Sequence, residues 1–218
     1  MRNVWLISCF LFITPLFVYA QESNLGNWLL LFGNKNISEK VNWHHEVQYR
    51  NYDAIGDLEQ LLLRTGLGFK VEDNTNLLLG YGFIRSENYD QADDKTVVNE
   101  HRIFQQLITK QSVNKLRLQH RYRFEQRFVE ENFKLRFRYF LGLAYPLWKE
   151  ESSPREFYLS MYNEIFLNTK RDVFDRNRLY SGLGFRLNDT FRFELGYMNQ
   201  FLNAGNRDQV NLVCFFNW

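Results

Sequence analysis

LRLQHRYRFEQRFVEENFKLRFRYF, residues 116–140, alternates with a period of two. Leu118, His120, Tyr122, Phe124 and Phe128 fall on one face, and Arg117, Gln119, Arg121, Arg123, Glu125 and Arg127 on the other. After a short polar break the alternation resumes, with Phe133, Leu135, Phe137, Tyr139 and Leu141 set against Lys134, Arg136 and Arg138. Successive side chains of a strand point to opposite faces, so the pattern predicts two strands joined as a hairpin. Each run lasts about twelve residues, against a usual strand of about five or six, and a tilted strand needs roughly nine to eleven to cross a bilayer. The aromatic face is therefore expected to meet lipid, and the arginine face to line the inside of a barrel.

Burying so many arginines demands partners. Seven inward positions of this stretch are basic (Arg117, Arg121, Arg123, Arg127, Lys134, Arg136, Arg138) and only Glu125 opposes them locally. The compensating carboxylates are expected from other strands, with Glu46, Glu100, Glu164 and Glu194 as candidates. That demand is a closure argument, because distant strands must come round to meet the hairpin.

Both ends of the chain agree with export to an outer membrane. Met1–Ala20 reads as a Sec-type signal peptide to be cleaved, with Arg2 at its start, an apolar centre over Val4–Val18 and a small residue, Ala20, at the cut. Residues 21–218 are then expected to form a single outer-membrane barrel domain, with no transmembrane helix and outer-membrane lipid as its surroundings. Of the 2 cysteines, Cys9 lies in the signal and Cys214 remains, a small apolar-face residue that has no intrachain partner. The chain ends VNLVCFFNW. Val210, Leu212, Cys214, Phe216 and Trp218 share one face, and a terminal aromatic behind such alternation resembles the strand that the barrel-assembly machinery reads.

Taken in order, the chain yields eleven segments, including a poorly alternating one at Asn27–Phe32 and one at Val98–Gln111 whose phase is ambiguous. In the latter, Ile103 and Leu107 suit one face and Phe104 and Ile108 the other, and a β-bulge would reconcile them. Connections near 38, 73, 113 and 188 look tight and those near 54, 92, 171 and 205 longer, the asymmetry of membrane barrels. The segment Ser86–Val97 is the longest polar insertion and reads as a solvated loop. Bacterial single-chain barrels use even strand numbers, so the count could fall to ten or rise to twelve. The expected fold is an all-β, antiparallel, up-and-down transmembrane barrel of about 10–12 strands.

The inner face collects Arg50, Arg64, Arg102, Arg117, Arg121, Arg123, Arg127, Arg136, Arg138, Arg176, Arg178, Arg186 and Arg192. Opposing them are Glu46, Glu100, Glu125, Glu164 and Glu194, and glycines at 66, 80, 82, 182 and 184 make room for the arginines or bend the strands. Eight strands leave an interior just filled by side chains, and sixteen or more leave a water channel. Between those limits, arginine forks and carboxylates are expected to pair across a narrow lumen and largely plug it. The alternative is a narrow pore or transporter for small anionic solutes.

Catalysis has little to stand on. The 4 histidines are His44, His45, His101 and His120; no GxSxG motif, zinc spacing, phosphate loop or dinucleotide glycine pattern occurs. An outer-membrane hydrolase built on His120 and Ser181 would need residues from strands that are not neighbours. No catalytic, metal-binding or cofactor-binding residue is assigned. The balance of 27 basic to 25 acidic residues argues against nucleic acid as a partner.

The segments EHRIFQQL (100–107), LQHRYRFEQRF (118–128), FRYFLGLAYPL (137–147), DRNRLYSGLGFRL (175–187) and ELGYMNQF (194–201) resemble the bacterial proteins grouped as domain of unknown function 2490, from about Trp28 to Trp218. That resemblance implies an outer-membrane β-barrel of Gram-negative bacteria and brings no catalytic residues with it.

Overall fold

A computed structural model describes residues 25–53, 56–89, 94–170 and 172–218. The expected signal segment, and residues 90–93 of the polar insertion, lie outside the described residues. The described chain is eleven strands: β1 (Leu25–Asn36), β2 (Val41–Asn51), β3 (Leu58–Glu72), β4 (Thr75–Tyr89), β5 (Lys95–Val113), β6 (Leu116–Val129), β7 (Asn132–Lys149), β8 (Glu156–Asn168), β9 (Phe174–Arg186), β10 (Phe191–Leu202) and β11 (Gly205–Asn217). Each pairs antiparallel with the next, and β1 meets β11 to close the barrel.

The closing seam is parallel, from Leu25 opposite Asp208 to Asn34 opposite Asn217. An up-and-down chain with an odd number of strands ends travelling in the direction in which it began. Its first and last strands can then pair only in parallel. The strand number is therefore eleven, neither ten nor twelve, and the poorly alternating first segment is a full strand of 12 residues. Stepping across paired residues from Leu30 in one direction reaches Asn132 of β7, and in the other reaches Pro146, a stagger of fourteen residues. With ordinary strand spacing and rise, that stagger tilts the strands by about 41° and sets a backbone radius of about 11 Å.

Outward alternation holds all the way round. Every strand exposes a large apolar side chain: Leu29, Val47, Leu63, Leu79, Ile103, Tyr122, Phe137, Phe157, Leu183, Leu195 and Leu212, in chain order, are each 38–60% exposed. The interior has two halves. One is apolar: Trp28, Leu30, Tyr180, Met198 and Val213 form a buried cluster, with Phe32, Tyr162 and Phe215 packed against it. The poor alternation of β1 has its cause here, since Trp28, Leu30 and Phe32 point into this cluster while Leu29 and Leu31 point out. The other half, from β2 to β8, carries most of the buried arginines and glutamates, with Arg178 of β9 and Glu194 of β10 at its margin.

Three local expectations are corrected. β5 carries no bulge, because its pairing with β4 and β6 runs without a register shift. Phe104 is fully buried beneath Gly80, so an aromatic ring simply occupies an inward position. The described parts of the 86–97 insertion are strand and not loop, because β4 continues to Tyr89 and pairs with β5 from Lys95 onward. Glu87 holds that extension, buried against Arg85 (2.8 Å), Lys95 (3.1 Å) and the Tyr89 hydroxyl (3.1 Å). Nor do long and short connections segregate. The connection near 205 is only Asn203–Ala204, and none between consecutive strands exceeds six residues at either end. Local register shifts fall at Arg50/Asn51, Lys70/Glu72, Pro146/Trp148 and Phe166/Leu167. The shift in β7 begins at Pro146, a residue that has no N–H to give the ladder.

Candidate functional site

The charged half of the interior is built by strand parity. Glu125 of β6 and Arg136 of β7 are direct cross-strand partners, both inward. The Glu125 carboxylate accepts from Arg136 Nε (2.9 Å) and Nη2 (2.6 Å) and from Arg138 Nη1 (2.8 Å). Arg64 of β3 approaches the same carboxylate from across the barrel, at 4.0 Å. Glu164 of β8 receives Arg138 (2.7 Å) and Arg121 (2.8 Å). Glu46 receives Arg64 (2.8 Å) and the amide of Gln48. Glu100 is clamped by Arg102 (2.5 and 2.8 Å) and Arg127 (2.5 and 2.9 Å), each guanidinium fork matching both carboxylate oxygens. Arg136 continues to Asp175 (2.8 Å), which also meets Arg176 (3.3 Å). Glu46, Arg64, Glu125, Arg138 and Glu164 thus link β2, β3, β6, β7 and β8 through the middle of the barrel.

Aromatic rings separate the like charges. Arg136, Arg138 and Arg178 lie 5.3, 4.3 and 4.6 Å from the Phe166 ring, and Arg123 lies 4.7 Å from Phe104. Arg50 and Arg178 sit on Trp28, at 3.8 and 4.7 Å. A guanidinium over an aromatic face keeps favourable electrostatics while giving up water. Arg50, Arg123 and Arg178 hydrogen-bond neutral amides: Arg50 meets Gln48 and Gln60 (2.6 Å), Arg123 meets Gln106 (2.5 Å), and Arg178 meets Gln200 (2.8 Å).

The compensating carboxylates differ in part from those expected. Glu100 and Glu164 serve the 116–140 hairpin, but Glu46 pairs with Arg64, and Glu194 takes the hydroxyls of Tyr158 (2.8 Å) and Ser160 (3.1 Å). Arg117 is met instead, bidentately, by Glu156, the first residue of β8. Asp175 and Glu59, which meets Arg207 at 2.7 Å, are further carboxylates absent from the expected set. Their alternation is interrupted by the connections beside them, so parity alone does not find them. Lys134 is exposed near the end of its strand and takes no part. Arg186 and Arg192 have no hydrogen bond or ion pair among the described residues, and the Nε of each is buried.

Of the inward glycines, Gly82 sits beside Arg64, but Gly80 lies under Phe104, Gly182 and Gly184 under Tyr180 and Tyr158, and Gly66 beside Leu78. Ring packing, more than arginine length, explains them. The terminal residues Val210, Leu212, Cys214, Phe216 and Trp218 lie on the outer face. Trp218 stacks on Phe216 (4.4 Å) and approaches His45 (4.8 Å) across the seam. His120 bonds Tyr139 (2.9 Å) on β7, and Ser181 lies three strands away on β9.

A family described as "Protein of unknown function (DUF2490)" matches residues 25–211. An uncharacterised protein of Methylorubrum extorquens is 30% identical over 189 residues, covering 83% of this chain and 79% of its own length.

Proposed function

The chain belongs to the DUF2490 family of proteins of unknown function, and on that footing we propose that it is an outer-membrane β-barrel with a structural or accessory role, its lumen closed by its own salt bridges. The carrying observation is the inversion of polarity. Every strand exposes a large apolar side chain, while Glu46, Arg64, Glu125 and Arg138 are 0–7% exposed inside. In water such a girdle is a liability far larger than the apolar patches monomers tolerate. In a bilayer it is the required surface, and closure leaves no unpaired edge in the hydrocarbon.

The reading has a direction. Trp218 faces the periplasm, where the barrel-assembly machinery acts on the last strand. The exported chain should fractionate with the outer membrane and run faster on gels before boiling than after. Recovery as a soluble periplasmic protein would overturn the proposal.

Arginine surplus favours a second reading, a narrow pathway for small anions. Planar-bilayer recording separates the two. The plugged barrel stays silent at high applied voltage; an anion-selective conductance that Arg121→Glu reduces would establish the pore.

A further inference from the structure

The two arginines left without acceptors stand together. Arg186 of β9 and Arg192 of β10 are direct cross-strand partners beside the 187–190 turn. Strand parity turns both inward, since Arg178, Tyr180 and Gly184 of β9, and Glu194, Met198 and Gln200 of β10, are all buried. Like charges directly opposite on neighbouring strands destabilise a sheet, and a buried N–H without an acceptor costs further. Arg192 is fixed flat on the Phe215 ring at 3.9 Å.

Further cations face the same end. Lys110 of β5 shares the inward parity of Arg102 and Gln106 and lines a recess of about 180 Å³ among the turns, together with Glu39, Lys40, Lys70, Glu72 and Asp73. Arg117 and Arg192 lie 5.4 and 5.9 Å from the Tyr158 ring, so both converge on that residue. The carboxylates here are already engaged. Glu156, the cross-strand partner of Arg186, holds Arg117, and Glu194 accepts from Tyr158 and Ser160. Arg117, Arg186 and Arg192 against Glu156 and Glu194 leave an excess of one positive charge here, while Glu39, Glu72 and Asp73 stand with Lys40, Lys70 and Lys110 in the adjoining recess.

We infer that the turn end of the lumen is a binding site for a phosphate-class dianion, held by Arg186 and Arg192 with Lys110 facing it. Arginine forks suit a phosphate's oxygens, and the buried Nε of each arginine has no other acceptor among the described residues. The site needs no open path past the Glu125 network, so it requires neither conduction nor a membrane.

Equilibrium dialysis of the full chain, refolded in detergent, against radiolabelled inorganic phosphate at constant ionic strength tests this. Saturable binding of one phosphate per chain is expected, competed by sulfate but not by equal acetate. Arg186→Gln and Arg192→Gln should each weaken it at least tenfold. Lys110→Gln should weaken it without disturbing the β9–β10 pair. Arg155→Gln, at an exposed residue in the 150–155 connection of the same end, should leave it unchanged. Absence of saturable binding in the unmodified chain overturns the inference whatever the variants do. So does equal competition by acetate, or equal weakening by Arg155→Gln, which would mark diffuse attraction in place of a site.

Discussion

Glu125 is fully buried and answers two guanidinium groups at hydrogen-bonding distance, with Arg123 at 3.7 Å and Arg64 at 4.0 Å. Removing one member of a buried ion pair leaves its partners charged and dry, typically at a cost of about 3–5 kcal/mol. Glu125→Gln should therefore lower unfolding stability by about that amount in denaturant titration of the refolded barrel. Glu130→Gln, in an exposed turn, should change it by less than about 0.5 kcal/mol. Equal effects at the two sites would mean that the network carries no special weight. Packing makes a separate prediction at Gly80, where a Cβ would run into the Phe104 ring. Gly80→Ala should cost about 1–3 kcal/mol, and much less in a Phe104→Leu background, as a double-mutant cycle would record. Additive effects would contradict the ring-over-glycine contact.

Strands were legible in proportion to how cleanly one face is charged. β6 and β7 read directly, because arginine on one side and aromatics on the other leave a single phase. β1 and β5 read poorly for one reason: Trp28, Leu30, Phe32 and Phe104 are apolar residues turned inward, and alternation cannot be seen when both faces are apolar. The reach of β4 and β5 past Ser86 was hidden for the opposite reason, since polar side chains on both faces resemble a loop. What orders that extension is Glu87, whose three partners come from residues 85, 89 and 95. Glu87→Ala should therefore speed tryptic cleavage after Lys95 severalfold without altering global stability. An unchanged digestion pattern would show that the backbone ladder suffices by itself. Carboxylate partners across the lumen were the least legible feature, because which strand faces which is fixed by stagger and not by local sequence.

At the scale of the whole molecule, eleven strands and a fourteen-residue stagger give a cylinder of about 11 Å radius. That is too wide to be filled by short side chains. Long arginines reaching to a shared glutamate fill one half, and tryptophan and tyrosine rings fill the other. An odd strand number makes the β1–β11 seam parallel, and every property of the interior depends on that closure. In the parallel register Leu31 is the partner of Cys214, both on the outer face. Neighbouring strands lie about 4.8 Å apart, within the Cα range of a disulfide. With Cys9→Ser in the background, Leu31→Cys should give an intramolecular disulfide with Cys214 on mild oxidation, seen as a mobility shift on denaturing gels that reductant reverses. Asn27→Cys, outward on the same strand but four residues from that position, should stay reduced. A Leu31→Cys chain that remains reduced, or that cross-links only between molecules, would contradict the parallel eleven-stranded closure.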